Sequence, residues 1–145
     1  GHIKDLTIVN TETLRDNPAL GKALVGAWFE LMAEMGTDSE EGQKARAFLG
    51  EASATDQAGY EAQLAGMKMF WQPADAVSFI GSDEAYEAMD SVRQFSFEKG
   101  LLGEGADSPD FVGIAMPDGK TLGDTANIKL RFDTEYMQMA ADGAL

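Results

Sequence analysis

Apolar side chains recur at three- and four-residue spacing after Pro18, and this pattern predicts a long amphipathic helix. Asn17 is placed to cap the helix, Pro18 suits its first position, and Gly36 is expected to end it. The positions predicted to form its inward face are Leu20, Leu24, Ala27, Trp28, Leu31, Met32 and Met35. A turn of helix is predicted ahead of it from Thr11, and the β-rich run Leu6–Asn10 predicts a strand before that.

Helical spacing continues as far as Gly100 and predicts further helices. They extend from Ser39 to about Ala52, from a cap at Thr55 to Gly66, from Pro73 to Ile80, and from Ser82 to Gly100. In the first of these, three apolar side chains are expected to point inward: Ala45, Phe48 and Leu49. The apolar patch Met67–Trp71 falls between two of the helices and is predicted to be a non-helical joint.

Small residues dominate the span from Gly100 to Ser108, which predicts a loop. The runs Val112–Met116 and Ile128–Phe132 are strand-like, a Pro-Asp-Gly turn lies at residues 117–119, and residues 136–141 are predicted to form a terminal helix. The predicted fold class is mainly α (α+β), with one N-terminal strand and a small C-terminal β pairing. Because the N-terminal strand has no evident partner, we expect the chain to be part of something larger.

The length of 145 residues fits one domain with its own core, which we assign to residues 3–145. Gly1 and His2 are interpreted as the remnant of a cleaved tag. The formal net charge of -14 repels phosphate backbones and anionic lipid, so nucleic acid and membrane surfaces are not expected as partners. No apolar run approaches the ~20 residues of a spanning helix.

Residues with catalytic or metal-binding chemistry are scarce. The only histidine is His2 and there is no cysteine, which excludes histidine-based triads and thiolate metal sites. The glycines near Gly103 lack the spacing of a phosphate-binding loop, and the acidic run at residues 38–42 lacks that of a calcium loop. We therefore expect no enzyme activity, no cofactor and no metal site.

Five side chains are candidates for binding a small molecule. Phe70 and Trp71 lie in the predicted joint, where they can line an aromatic wall or pack as core. Glu51 and Asp56 flank a helix junction, where they can hydrogen-bond a polar ligand or serve as surface caps. Arg131 faces away from its strand neighbours if the alternation holds, and it can pair with a nearby carboxylate, Asp133 or Glu135, or bind an anion.

Four segments carry a resemblance to a known family. The opening run from Leu6 to Leu20, with the long helix after it, resembles the return segment of nitrate/sulfonate/taurine-type solute-binding proteins of ABC transporters. The runs Met69–Ala76, Phe95–Gly103 and Lys129–Asp133 resemble a narrower group that accompanies urea carboxylase and is described as transporting urea or taurine.

The resemblance implies the helical part of one lobe of a type II periplasmic-binding-protein fold, present as a C-terminal segment. It implies a periplasmic protein that binds a small nitrogen- or sulfur-containing solute such as urea or taurine and docks on ABC permease subunits. Phe70 and Trp71, with Glu51 and Asp56, remain the ligand-binding candidates on the residue argument alone. We also expect the segment to self-associate. The alternative is a free-standing helical protein-interaction domain.

Overall fold

The computed structural model describes residues 3–145, which form seven α-helices and a small three-stranded sheet. The helices are α1 (Thr11–Asp16), α2 (Pro18–Met35), α3 (Glu40–Ala52), α4 (Gln57–Ala65), α5 (Pro73–Ile80), α6 (Asp83–Glu98) and α7 (Glu135–Ala141). A 3₁₀ turn (Pro109–Phe111) precedes the strands, which are β1 (Gly113–Ala115), β2 (Thr121–Leu122) and β3 (Ile128–Arg131). The prediction of a mainly helical chain is confirmed. The interpretation of Gly1 and His2 as a tag remnant lies outside the described residues.

The chain divides into two compact units, each described below by itself. The helical unit comprises residues 12–76 and 136–145, and the sheet unit comprises residues 77–135 with the described part of the N-terminal segment, residues 3–11. The assignment of residues 3–145 to one domain stays a prediction. None of the helices within residues 3–145 combines the length and apolar character needed to cross a bilayer.

In the helical unit, α2 buries only part of the face that was predicted to point inward: Met32 and Met35 are buried as predicted. Four of its residues are buried: Gly21, Phe29, Met32 and Met35. Three side chains predicted to be inward, Leu24, Trp28 and Leu31, are instead 40%, 52% and 44% exposed. The only charged residues of α2 are Lys22, Glu30 and Glu34. Hydrophobic spacing alone therefore could not show which of the remaining apolar side chains are buried. Gly21 allows α7 to approach, since a methyl group there would lie 2.5 Å from Cε2 of Tyr136.

The buried face of α3 is built around a charged residue. Gly42, Arg46 and Gly50 follow one another at four-residue spacing and are all buried. Arg46 Nη1 donates to the carbonyl oxygens of Met35 (2.6 Å) and Thr37 (2.7 Å), and Nε donates to Glu61 Oε1 at 2.9 Å. The predicted inward position of Phe48 is wrong: its side chain is 70% exposed because the Arg46 face takes the inside.

The sheet unit packs α6 against the three strands. Its core consists of Met89, Ile114, Met116 and Leu122, with Tyr86, Leu130 and Phe132 packed around them. β1 is central, antiparallel to β2 and parallel to β3. The two predicted strands therefore pair in parallel, and β2 is an additional strand that the sequence prediction missed. The Pro-Asp-Gly turn connects β1 to β2, and Lys120 binds Asp118 there at 2.9 Å.

The predicted N-terminal strand is not formed. Residues 3–10 contain no helix or strand, and three apolar side chains are exposed there: Ile3, Leu6 and Ile8. A β-rich sequence becomes a strand only when a neighbouring strand supplies the hydrogen bonds of the ladder. Within the described residues the sheet contains β1, β2 and β3 alone, so this segment is not part of it.

A second buried guanidinium links α6 to the 3₁₀ turn in the sheet unit. Arg93 is 8% exposed and hydrogen-bonds to Asp90 (2.6 Å) and to Asp110. Burial by itself lowers the pKa of Arg93, but the hydrogen bonds to Asp90 and Asp110 outweigh burial and raise that pKa. Arg93 therefore stays charged while it is buried.

Replacement of Arg46 tests the role of the buried guanidinium in the helical unit. We expect Arg46→Met to lower the free energy of unfolding by about 2–4 kcal/mol, because two carbonyl oxygens and Glu61 lose a charged donor. The measurement is urea denaturation followed by circular dichroism. Lys44→Ala removes an exposed i,i+4 ion pair with Glu40 and is the matched control, with an expected change below about 0.5 kcal/mol. Equal losses in the two variants would contradict the assignment.

Candidate functional site

The two candidate aromatic residues lie in the joint between α4 and α5. Residues 68–71 have no helix or strand, which confirms the prediction of a non-helical joint. Phe70 and Trp71 are both half-buried, so neither is fully absorbed into a core. The Lys68 ammonium nitrogen lies 5.8 Å from the centre of the Phe70 ring, within the range of a cation–π contact. The joint therefore presents two rings and one cation in a short stretch of chain.

Trp71 rests on the backbone at Gly36, where α2 ends. A methyl group built on Gly36 would lie 3.0 Å from Cγ, 3.1 Å from Cδ2 and 3.2 Å from Cβ of Trp71. These separations are shorter than ordinary carbon contacts, so the indole packs closely over the glycine. Glycine is thus needed here for space, in addition to ending the helix as the sequence predicts.

The turn that contains Gly36 is held by Arg46. The two carbonyl oxygens that accept from Arg46 Nη1 belong to Met35 and Thr37, the residues on either side of Gly36. The Met35 carbonyl is among the groups that a helix leaves without intrahelical partners at its C-terminal end, and the Thr37 carbonyl lies in the turn that follows. Asp38 lies 3.9 Å from the same guanidinium. Arg46 therefore fixes the backbone that supports the Trp71 ring.

The two candidate carboxylates lie at the junction of α3 and α4, and both are exposed. Asp56 caps α4, since its side chain accepts a hydrogen bond from the Gly59 N–H at 2.8 Å. The predicted cap at Thr55 is therefore wrong by one residue. Glu51 lies in the last turn of α3, and the chain then turns through Ala54, whose φ of 57° is left-handed. Asp56 thus performs the capping role weighed for it in the sequence.

The structure gives the aromatic and acidic candidates different neighbours. Trp71 packs on the end of α2, whereas Asp56 is occupied at the start of α4. Arg131 alternates with half-buried Leu130 and Phe132 as predicted, but no ion pair joins it to a carboxylate within residues 3–145. Asp133 instead accepts from the Glu135 N–H at 2.8 Å. The site is therefore centred on Trp71 and Phe70.

The helical unit contains an open groove of about 880 Å³. It runs between α2, the start of α5 and the end of the chain, and alanine and glycine form much of its lining. Lys22 and Glu30 are its charged residues, and the two candidate aromatic side chains are not part of it. Phe29 is the one aromatic residue in its lining, whereas small-molecule pockets are typically lined by several apolar and aromatic side chains around convergent polar groups.

Searches for related proteins give no assignment. No known family model matches the chain, and no curated protein and no solved structure matches it significantly. Within residues 3–145 no group of three or more acidic, histidine or cysteine side chains is arranged to hold a metal ion.

Sequence reasoning missed Arg46 and the supporting role of Gly36. The available signal was the spacing of Gly42, Arg46 and Gly50, which places the smallest residues of α3 on the same face as an arginine. A helix that presents glycines on one side allows another backbone to approach closely there. An arginine at the centre of such a face is therefore placed to bind backbone carbonyls.

The titration of Glu61 tests whether the Arg46 cluster exists in solution. Hydrogen bonds from Gln57 and then from Arg46, each 2.9 Å long, lower the pKa of Glu61 below its usual value. We expect ¹³C NMR to give this lowered pKa, and Arg46→Met to raise it. Because the folded-state pKa is the lower one, the contribution of Glu61 to stability is present above the unfolded-state pKa. It is lost as the pH falls through the folded-state value. An unchanged midpoint in the variant would contradict the pairing.

Proposed function

We propose that this chain is the C-terminal part of the solute-binding component of an ABC importer for a small nitrogen- or sulfur-containing solute. Such a component acts in the periplasm and delivers its solute to ABC permease subunits. It binds by closing around the solute and forms or breaks no covalent bond. The segments from Leu6 to Leu20, Met69–Ala76, Phe95–Gly103 and Lys129–Asp133 supply the resemblance on which the class assignment rests.

The observation that carries the proposal is the apolar surface of α2. This helix buries Phe29, Met32 and Met35 but leaves Leu24, Trp28 and Leu31 exposed on the same wide apolar face. An apolar helix face of which a large part is uncovered is typical of a surface that packs beneath further protein. The exposed side chains therefore support a role for α2 beneath further structure, as a lobe of a binding protein requires.

The N-terminal segment supports the same proposal. Residues 3–10 contain no helix or strand, and Ile3 and Ile8 are 93% and 75% exposed. A β-prone sequence with exposed apolar side chains is well suited to joining a sheet edge. Strands supplied by further protein would give this segment a sheet to join.

Trp71 and Phe70 are the proposed solute contacts. A half-buried ring in a joint between helices offers a flat apolar face without closing the site to small molecules. Planar solutes such as urea or guanidine can stack on an indole, and the acidic chain favours neutral or cationic solutes over anions such as nitrate. Glu51 is exposed and is the acidic candidate that has no capping role.

The alternative function is a free-standing interaction domain that uses the α2 face to bind a partner chain. The same exposed side chains, Leu24, Trp28 and Leu31, favour it. The two functions differ in their ligand, because the alternative requires no response to any small solute.

A thermal-shift screen tests the proposal on protein made from the complete reading frame that contains this chain. The panel consists of urea, guanidine, simple amides, taurine, other sulfonates and nitrate. At about 100 times its Kd, a solute that binds only the folded state stabilises it by about 2.7 kcal/mol, which raises the midpoint by several degrees. We expect one class of the panel to give a saturable rise.

Two variants locate the site. Trp71→Ala should abolish the rise in the midpoint. Phe48→Ala should retain it, because Phe48 is an exposed aromatic residue on α3 and not part of the joint. A panel without any saturable rise would argue against solute binding and in favour of the alternative.

Self-association tests the exposed face of α2 directly. We expect the chain to form oligomers in light scattering at a salt concentration that screens its charge of -14. The double variant Leu24→Gln, Leu31→Gln should shift the equilibrium toward monomer, because it removes apolar area from the exposed face. Wild-type chain that stays strictly monomeric would count against an uncovered lobe surface.

A further inference from the structure

Two separate contacts meet at the last turn of α2. The Trp71 ring packs over Gly36, with its Cγ 3.0 Å from where a methyl group on that residue would lie. The Arg46 guanidinium donates to the carbonyl oxygens of Met35 and Thr37, one on each side of Gly36. The backbone at Gly36 supports the Trp71 ring, and Arg46 holds that backbone in place.

We propose that Arg46 is a positioning residue for Trp71, acting through the backbone at Gly36. This inference rests on the proposed function, because it gives Trp71 the role of a solute contact. Arg46 does not itself touch the solute in this arrangement. Its task is to hold the 35–37 backbone in one place, so that the indole has a rigid support.

The chemistry of the guanidinium suits this task. Its N–H donors lie in a fixed plane, so the two carbonyl oxygens are held at a fixed separation from each other. The third partner, Glu61 on α4, binds Nε at 2.9 Å and keeps the guanidinium from rotating. A lysine at this position keeps the charge but replaces the planar group with a single rotatable ammonium.

Burial makes the arrangement rigid. The Arg46 side chain is 11% exposed, so water competes little for its hydrogen bonds. The partner carbonyl oxygens lie at the end of α2, where the helix supplies no donors for them. Loss of the guanidinium leaves the turn free to move, and the ring loses its fixed support.

Tryptophan emission measures the position of the ring without any solute. The chain has two tryptophans, and Trp28→Phe leaves Trp71 as the only one. In that background we expect Gly36→Ala to shift the Trp71 emission maximum to longer wavelength and to raise its quenching by acrylamide, because the new methyl group displaces the ring. Arg46→Lys should shift both quantities in the same direction through the loosened turn.

The matched control is Gly26→Ala, at a glycine within α2. A methyl group there meets Leu145 at 3.7 Å, an ordinary contact, so the emission and quenching of Trp71 should not change. All variants are compared at a urea concentration at which each is folded by far-ultraviolet circular dichroism. The proposal is overturned if Gly36→Ala behaves as Gly26→Ala does. It is also overturned if Arg46→Lys leaves the Trp71 spectrum unchanged.

Solute binding by the Arg46 variant separates this inference from the proposed function. If the screen finds a solute, Arg46→Lys should weaken its binding, and Lys44→Ala should not. If the screen finds none, the proposed function fails, while the emission of Trp71 still decides whether Arg46 positions the ring. Solute binding that is unaffected by Arg46→Lys would overturn the inference and leave the proposed function standing.

Discussion

The helical unit depends on one buried charge. Arg46 enters from α3, binds two carbonyl oxygens at the end of α2 and pairs with Glu61 on α4, so a single side chain links three helices. A buried guanidinium is costly unless its donors find acceptors, and here the backbone acceptors are the last carbonyl group of α2 and one in the turn that follows it. The buried charge thereby gains acceptors, and the carbonyl groups gain donors. This makes the last turn of α2 a fixed point, and Trp71 packs on that point.

The sheet unit uses the same chemistry on a smaller scale. Arg93 on α6 is buried and binds Asp90 on its own helix and Asp110 in the 3₁₀ turn, which keeps the irregular chain before β1 close to α6. The apolar core of this unit is small, with Met89 and Ile114 among its buried members. In both units an arginine holds irregular backbone next to a helix, where apolar contacts alone give little directional restraint.

Features that depend on residues close together in sequence could be predicted, and features that depend on contacts between distant residues could not. Capping residues and apolar periodicity are local signals, so the helices and the joint at Trp71 were predicted nearly at their observed bounds. The inward faces of α2 and α3 were predicted only in part, because Trp28 and Phe48 are as apolar as the residues that are buried. The choice between them depends on Arg46 and on neighbouring helices. The strand expected at Leu6–Asn10 failed for a related reason, since pairing requires a partner that lies elsewhere in sequence or in another chain. Of the candidate site, the aromatic pair was identifiable from its place in the joint, but its support from Gly36 is a tertiary contact.

The exposed face of α2 and the fixed turn at its end fit the proposed role of this helix within a larger binding protein, in which Trp71 at its C-terminal end is the proposed solute contact. Arg46 holds the end of α2 and the middle of α4 together. Amide hydrogen exchange of the wild-type chain and of Arg46→Met measures this directly, because protection reports local opening. In Arg46→Met we expect protection to fall both in the last turn of α2 and in α4, two segments that are separate in sequence. A loss of protection confined to α3, with those two segments unchanged, would contradict it.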